Sequence, residues 1–315
     1  MIKLTILDGH AVNPGDLPWD FFKKYADITV YERTPQEKVV ERIADSDAIF
    51  LNKIQITEEI LSQCPNLRYI GVLATGYNVI DLEAARRHSI IVTNIPAYST
   101  DSVAQHVFAF ILYFTNQVAQ HSQFVMKGDW IKCHDFCFWN SSLSELAGKT
   151  LGIFGYGHIG SRVAQIGKAF GMKVICCTRT PKEDMPSPVT FEELLKCSDF
   201  LTLHAPLTPQ TTNIINKETL ALMKPTAYLI NTARGGFVVE KDLADCLNKG
   251  GIAGYAADVL LKEPMDADNP LLGAKNCIIT PHIAWAPYET RKRLQGIAEE
   301  NLKAWLEGKP VNVVS

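Results

Sequence analysis

Short apolar runs alternate with longer amphipathic stretches through most of the chain. Over the first hundred residues, 3–7, 48–52, 70–74 and 90–93 read as buried strands, and 36–44, 58–62 and 82–87 read as helices. Strand alternating with helix predicts a parallel sheet covered on both faces. The pattern changes near 96–100. Val103, Val107, Phe110, Ile111, Phe114 and Val118 then follow at helical spacing and predict one long helix. Residues 128–148 are irregular and aromatic, with Trp130, Phe136, Phe138 and Trp139; they read as a loop packed on its own domain or as an arm reaching another subunit, and the aromatic groups favour the arm. A second strand–helix series starts at Thr150, with strands expected at 150–154, 173–178, 200–204, 227–231, 254–258 and 277–280. The last segment, too short for a domain of its own, carries Leu294, Ile297, Ala298, Leu302 and Trp305 on one helical face, and the first domain is the expected partner that buries it.

The bulk numbers narrow the function classes. The chain has 315 residues, 47% hydrophobic and 21% charged, enough for two globular domains. A net charge of -3 gives no electrostatic case for nucleic acid or an anionic membrane. The apolar run 107–114 is too short to span a bilayer, and the opening run stops at Asp8, too early for a signal peptide. Eight cysteines without a framework spacing point to reduced thiols and a cytoplasmic protein. The cluster Cys133-His134-Asp135-Phe136-Cys137 lacks a second ligand pair at structural-zinc spacing, so no metal is expected.

Candidate chemistry begins at Gly155-Tyr156-Gly157-His158-Ile159-Gly160, a G-x-G-x-x-G between an apolar strand and an amphipathic helix. Gly155 permits the tight turn, Gly157 lets backbone approach a pyrophosphate, and Gly160 lets helix and strand pack closely. The fold expected is α/β, with two doubly wound parallel-sheet domains. A Rossmann dinucleotide domain, 99–285, is inserted into a flavodoxin-like domain, 1–98 and 286–315. About twenty residues past the glycine turn, where NAD-binding chains usually carry an acid, stand Thr178-Arg179-Thr180. A planar cation there suits a 2′-phosphate, so NADP is favoured over NAD. Three further strand ends carry polar groups. Arg234 follows a buried strand and can hold a carboxylate through two hydrogen bonds. Glu263 follows the strand ending at Asp258, itself a candidate to accept a bond from the nicotinamide amide. His282 follows the sixth strand, and a carboxylate beside an imidazole favours its charged form, the general acid that hydride reduction needs.

On GYGHIG at 155–160, LHAPLTPQT at 203–211, NTARGG at 231–236, DVLLKEP at 258–264 and TPHIAWA at 280–286, the chain resembles the D-specific 2-hydroxyacid dehydrogenases over nearly its whole length. The resemblance implies Arg234 as carboxylate binder, His282 as acid–base and Glu263 as its partner. It also implies substrate contacts from Asn52, Lys53 and the Ala74-Thr75-Gly76 turn. Cofactor contacts follow from the same source at His204, Ala205, Pro206, Thr211, Thr232, Ala233, Asp258 and His282, besides the glycine turn. LDGHAVNPGDLPWD at 7–20, LNK at 51–53 and HIAWA look most like the glycerate dehydrogenases, also called hydroxypyruvate reductases. The formate dehydrogenases of the family pair their histidine with glutamine, so Glu263 argues against that activity. The expected reaction is NAD(P)-dependent reduction of hydroxypyruvate or glyoxylate by a homodimer. The rival readings are another 2-keto acid as substrate, or a nicotinamide-binding regulator of corepressor type.

Overall fold

The computed structural model describes residues 1–180, 182, 183 and 185–315. Two compact units emerge, Met1–Ser99 with Ala286–Ser315, and Thr100–Trp285. The first unit is built on five parallel strands, β1 (Ile2–Ile6), β2 (Ala26–Val30), β3 (Ala48–Leu51), β4 (Tyr69–Val72) and β5 (Ile91–Thr93), in the order β2-β1-β3-β4-β5. That is the flavodoxin order. β3 and β4 are buried at every position, as strands covered on both faces must be. β2 has no counterpart among the strands read from the sequence. It lies on the sheet edge with only Ala26 buried, so no apolar run marks it, and its pairing rests on the backbone ladder to β1 from Ile2↔Ala26 to Ile6↔Val30. The C-terminal helix Tyr288–Leu306 buries Leu294, Ala298 and Leu302 completely, and Trp305 stacks on Tyr69 with ring centroids 4.9 Å apart.

The second unit holds six parallel strands, β6 (Thr150–Phe154), β7 (Lys173–Cys177), β8 (Phe200–Leu203), β9 (Tyr228–Asn231), β10 (Gly254–Ala257) and β11 (Cys277–Ile279). Their order is β11-β10-β9-β8-β6-β7. The outer strand that would complete the first half of a dinucleotide fold is reduced to one bridge, Cys176↔Pro188. Strand order therefore reverses between β6 and β8, the switch point where open α/β sheets bind ligands. The helix Thr100–Asn116 buries Val103, and packs Val107, Phe110, Ile111 and Phe114 into this sheet's core. It ends sooner than its spacing predicts. Gln117 turns left-handed (φ 48°), the helix Val118–Met126 starts afresh, and Val118 is exposed. In the following arm Trp130, Ile131, Phe136 and Trp139 are exposed. No helix among the described residues is long and apolar enough to cross a membrane.

Candidate active site

In the second unit the switch point opens on the glycine turn. Gly155 has φ +98°, and a Cβ there would lie 2.4 Å from the Ala205 nitrogen, so both conformation and space demand glycine. A Cβ on Gly160 would meet the Gly155 carbonyl oxygen at 2.1 Å. Gly157 is the opposite case. It is exposed, with no heavy atom within 4 Å of where a Cβ would sit, and it caps the helix His158–Ala169 without a side-chain hydrogen bond. Open space before uncapped helix N–H groups is what a pyrophosphate requires. Side by side at the ends of β8 and β9, His204 Nε2 and Thr232 Oγ1 are buried without a partner among the described residues. Burial pushes the His204 pKa down to about 3, so the ring is neutral. Two orphaned polar atoms beside an open glycine cradle fit a bound NAD(P). Past β7, Thr178 is half-buried while Arg179 and Thr180 are exposed, and Arg179 pairs with no described residue. Ala205 packs on Gly155, and Thr211 closes its own loop by donating to the Pro206 carbonyl at 2.9 Å.

The neighbouring ends of β9, β10 and β11 gather the remaining polar groups. Fully buried Asn231 pins the turn after β9, accepting from the Ala233 N–H at 3.0 Å and donating to the Arg234 carbonyl at 2.8 Å. Arg234 is thereby held at the surface, its Nη1 on the Ala233 carbonyl at 2.7 Å and its guanidinium in no ion pair with a described residue. A Cβ on Gly235 would stand 1.8 Å from the Leu260 carbonyl carbon, so glycine alone allows the Arg234 and Glu263 loops to touch backbone to backbone. Glu263 accepts from the Leu260 N–H at 3.0 Å and meets His282 Nδ1 at 2.7 Å. That bond leaves Nε2 as the ring nitrogen without a hydrogen bond to a described residue.

Asp258, 1% exposed, has both oxygens engaged by the loop that carries the histidine. Oδ1 accepts from Thr280 Oγ1 at 2.5 Å and from the Ile283 N–H at 2.8 Å, and Oδ2 from the Ala284 N–H at 2.7 Å. Asn231 and Glu240 were not singled out from the sequence. Glu240 clamps the Glu263 loop, accepting from the Leu261 N–H and from Asn269 Nδ2. Nothing local marks either residue, because their partners are set by the fold.

In the first unit, Asn52, Lys53 and the 74–76 turn lie at the ends of β3 and β4. Buried Asp8 accepts from the Asn52 and Lys53 N–H groups, each at 2.7 Å. Desolvation raises the Asp8 pKa, and those backbone bonds oppose the rise. Asn52 Nδ2 donates to the Leu73 carbonyl at 2.7 Å, Lys53 is exposed, and Thr75 Oγ1 holds the turn to the Ile95 carbonyl at 2.8 Å. The Gly76 N–H donates to no described residue.

A dinucleotide fold carrying a histidine–carboxylate pair and a free arginine at adjacent strand ends defines an NAD(P)-dependent oxidoreductase. Residues 108–284 match the family model described as D-isomer specific 2-hydroxyacid dehydrogenase, NAD binding domain. A hydroxypyruvate reductase of Blautia hydrogenotrophica is 46% identical, with all of both chains aligned. A glycerate dehydrogenase of Methylorubrum extorquens is 38% identical over 99% of this chain and 98% of its own. Among solved structures, an NADPH-dependent glyoxylate/hydroxypyruvate reductase from Sinorhizobium meliloti, in complex with NADP and malonate, is 28% identical with a TM-score of 0.83, covering 100% of this chain and 97% of that one. The chain belongs to the D-isomer specific 2-hydroxyacid dehydrogenases, enzymes that act on the CH–OH group of 2-hydroxy acids with NAD(P).

Proposed function

We propose that the protein reduces hydroxypyruvate or glyoxylate to the 2-hydroxy acid, of D configuration where the carbon is chiral. The observation that carries this reading is the His282–Glu263 pair at 2.7 Å beside the loop of an unpaired Arg234. When bound, the reduced nicotinamide supplies a hydride to the keto carbon. His282 holds a proton on Nε2 and delivers it to the carbonyl oxygen, while Glu263 on Nδ1 fixes the orientation of the ring. Arg234 grips the carboxylate through two parallel hydrogen bonds. In the first unit, Asn52, Lys53 and the 74–76 turn, with the free Gly76 N–H, are the groups proposed for substrate. The names of the relatives support the choice of acid. A panel of hydroxypyruvate, glyoxylate, pyruvate and bulky 2-keto acids tests it, with the first two expected to be turned over most efficiently. Preference for pyruvate or a bulky acid would overturn the assignment.

The same reading extends to the cofactor, with NADPH preferred over NADH. Neutral Thr178 stands where an acid would otherwise repel a 2′-phosphate, and the exposed Arg179 beside it has no described partner. Thr178→Asp restores that repulsion, so the ratio of kcat/KM for NADPH to that for NADH should fall about tenfold, the size of one ~1.4 kcal/mol interaction. A wild-type protein that prefers NADH, with a ratio the new acid does not lower, would refute the preference. We also propose a cytoplasmic homodimer. All eight cysteines are unpaired, as reducing compartments keep them. The exposed Trp130, Ile131, Phe136 and Trp139 form apolar surface that a second copy would cover. Light scattering should give twice the chain mass, and a concentration-independent monomer would exclude the dimer.

A further inference from the structure

His106, on the helix Thr100–Asn116, has no role in the chemistry above, yet it reaches the loop that carries His282. Its Nε2 lies 3.0 Å from Thr280 Oγ1 and 3.8 Å from Asp258 Oδ1. Thr280 Oγ1 is 2.5 Å from the same carboxylate oxygen. A carboxylate has no proton to give, so the Thr280 hydroxyl donates to Asp258 and keeps only lone pairs for His106. His106 therefore donates through Nε2. Burial lowers its pKa, against the pull of Asp258, and a neutral imidazole has a single N–H, which this bond takes. Phe110, edge-on with ring centroids 4.5 Å apart, steadies the ring.

We infer that His106 and Thr280 are positioning residues for His282, forming a directed hydrogen-bond file from His106 through Thr280 to Asp258 that sets the 280–284 loop. The loop needs holding. His282 sits at φ +55°, a conformation that a non-glycine residue keeps only where its surroundings over-determine it. On one side the Ile283 and Ala284 N–H groups anchor the loop to Asp258, and on the other the Thr280 hydroxyl does. Without that hydroxyl this side of the loop keeps its backbone bonds, Thr280 N–H to the Ala257 carbonyl and His282 N–H to the Thr280 carbonyl, each at 2.9 Å, but loses its side-chain tie to Asp258. The His282 ring can then swing away from Glu263.

The inference rests on His282 as the proton carrier, so His282→Ala is run beside the test, and turnover surviving in that variant would defeat the underlying reading rather than this one. Thr280→Val keeps the shape and removes the hydroxyl. It should lower kcat about ten- to a hundredfold, the size expected of a small misplacement of a reacting group. KM for the keto acid should hold. In the ligand-free protein, ¹⁵N NMR should show the His282 Nδ1 signal moving toward that of a ring without a carboxylate partner. Thr280→Ser should restore both. His106→Gln, which retains an N–H donor, should keep more kcat than His106→Leu, and this pair decides the matter if Thr280→Val does not fold. An unmoved Nδ1 signal or an unchanged kcat in Thr280→Val overturns the inference, and so does equal activity in the two His106 variants.

Discussion

His282→Ala should abolish keto-acid reduction, with kcat at least about a hundredfold lower, while the dinucleotide still binds. The imidazole offers the substrate a single nitrogen, because Nδ1 is taken by Glu263 at 2.7 Å. Methyl in place of the ring removes the proton that His282 would deliver to the carbonyl oxygen. Most of the proposed dinucleotide contacts are elsewhere, in the glycine turn after β6 and at the ends of β7, β8 and β9, so quenching of protein fluorescence by added cofactor should be retained. His282→Asn is a useful companion, since asparagine tolerates the left-handed backbone of this position better than alanine. Both variants should be equally inactive if the loss is chemical rather than conformational. Near-normal turnover in either one would remove His282 from its assigned role.

Arg234→Lys should raise the KM for keto acid about ten- to a hundredfold, the equivalent of one charge-assisted hydrogen bond worth about 1.5–3 kcal/mol. The positive charge is conserved, so a simple attraction to the carboxylate would predict little change. Geometry makes the difference. A guanidinium presents two parallel N–H groups in one plane, and an ammonium cannot. The turn beneath should survive the exchange, because Asn231 holds it through the Ala233 N–H and the residue-234 carbonyl, both backbone groups. Melting temperature should therefore stay close to wild type. Unchanged steady-state kinetics would show that another residue holds the carboxylate.

Much of the molecule was legible from the chain alone wherever the signal is local. Helical and strand periodicity marked both series of elements. The glycine turn at 155–160 could be read because its requirements, a positive φ and a close backbone approach, concern neighbouring residues. Arg234, Glu263 and His282 stood out as polar groups at the ends of apolar strands. Where burial supplies no contrast the reading failed, as at the edge strand β2, whose residues are mostly exposed. It also overran the helix end at Gln117, since spacing cannot report a single residue turning left-handed.

The supporting groups are a different matter. A buried carboxylate in a sequence looks the same whether it grips a cofactor or its own backbone. Asp258 reaches Ile283 and Ala284 across 25 and 26 residues, Asp8 reaches Asn52 across 44, and His106 meets Thr280 across 174. Which N–H or hydroxyl satisfies each of them depends on strand order and register, and those come from packing the whole sheet. Residue type therefore announces that a buried polar group must find a partner, and the assembled fold selects which one.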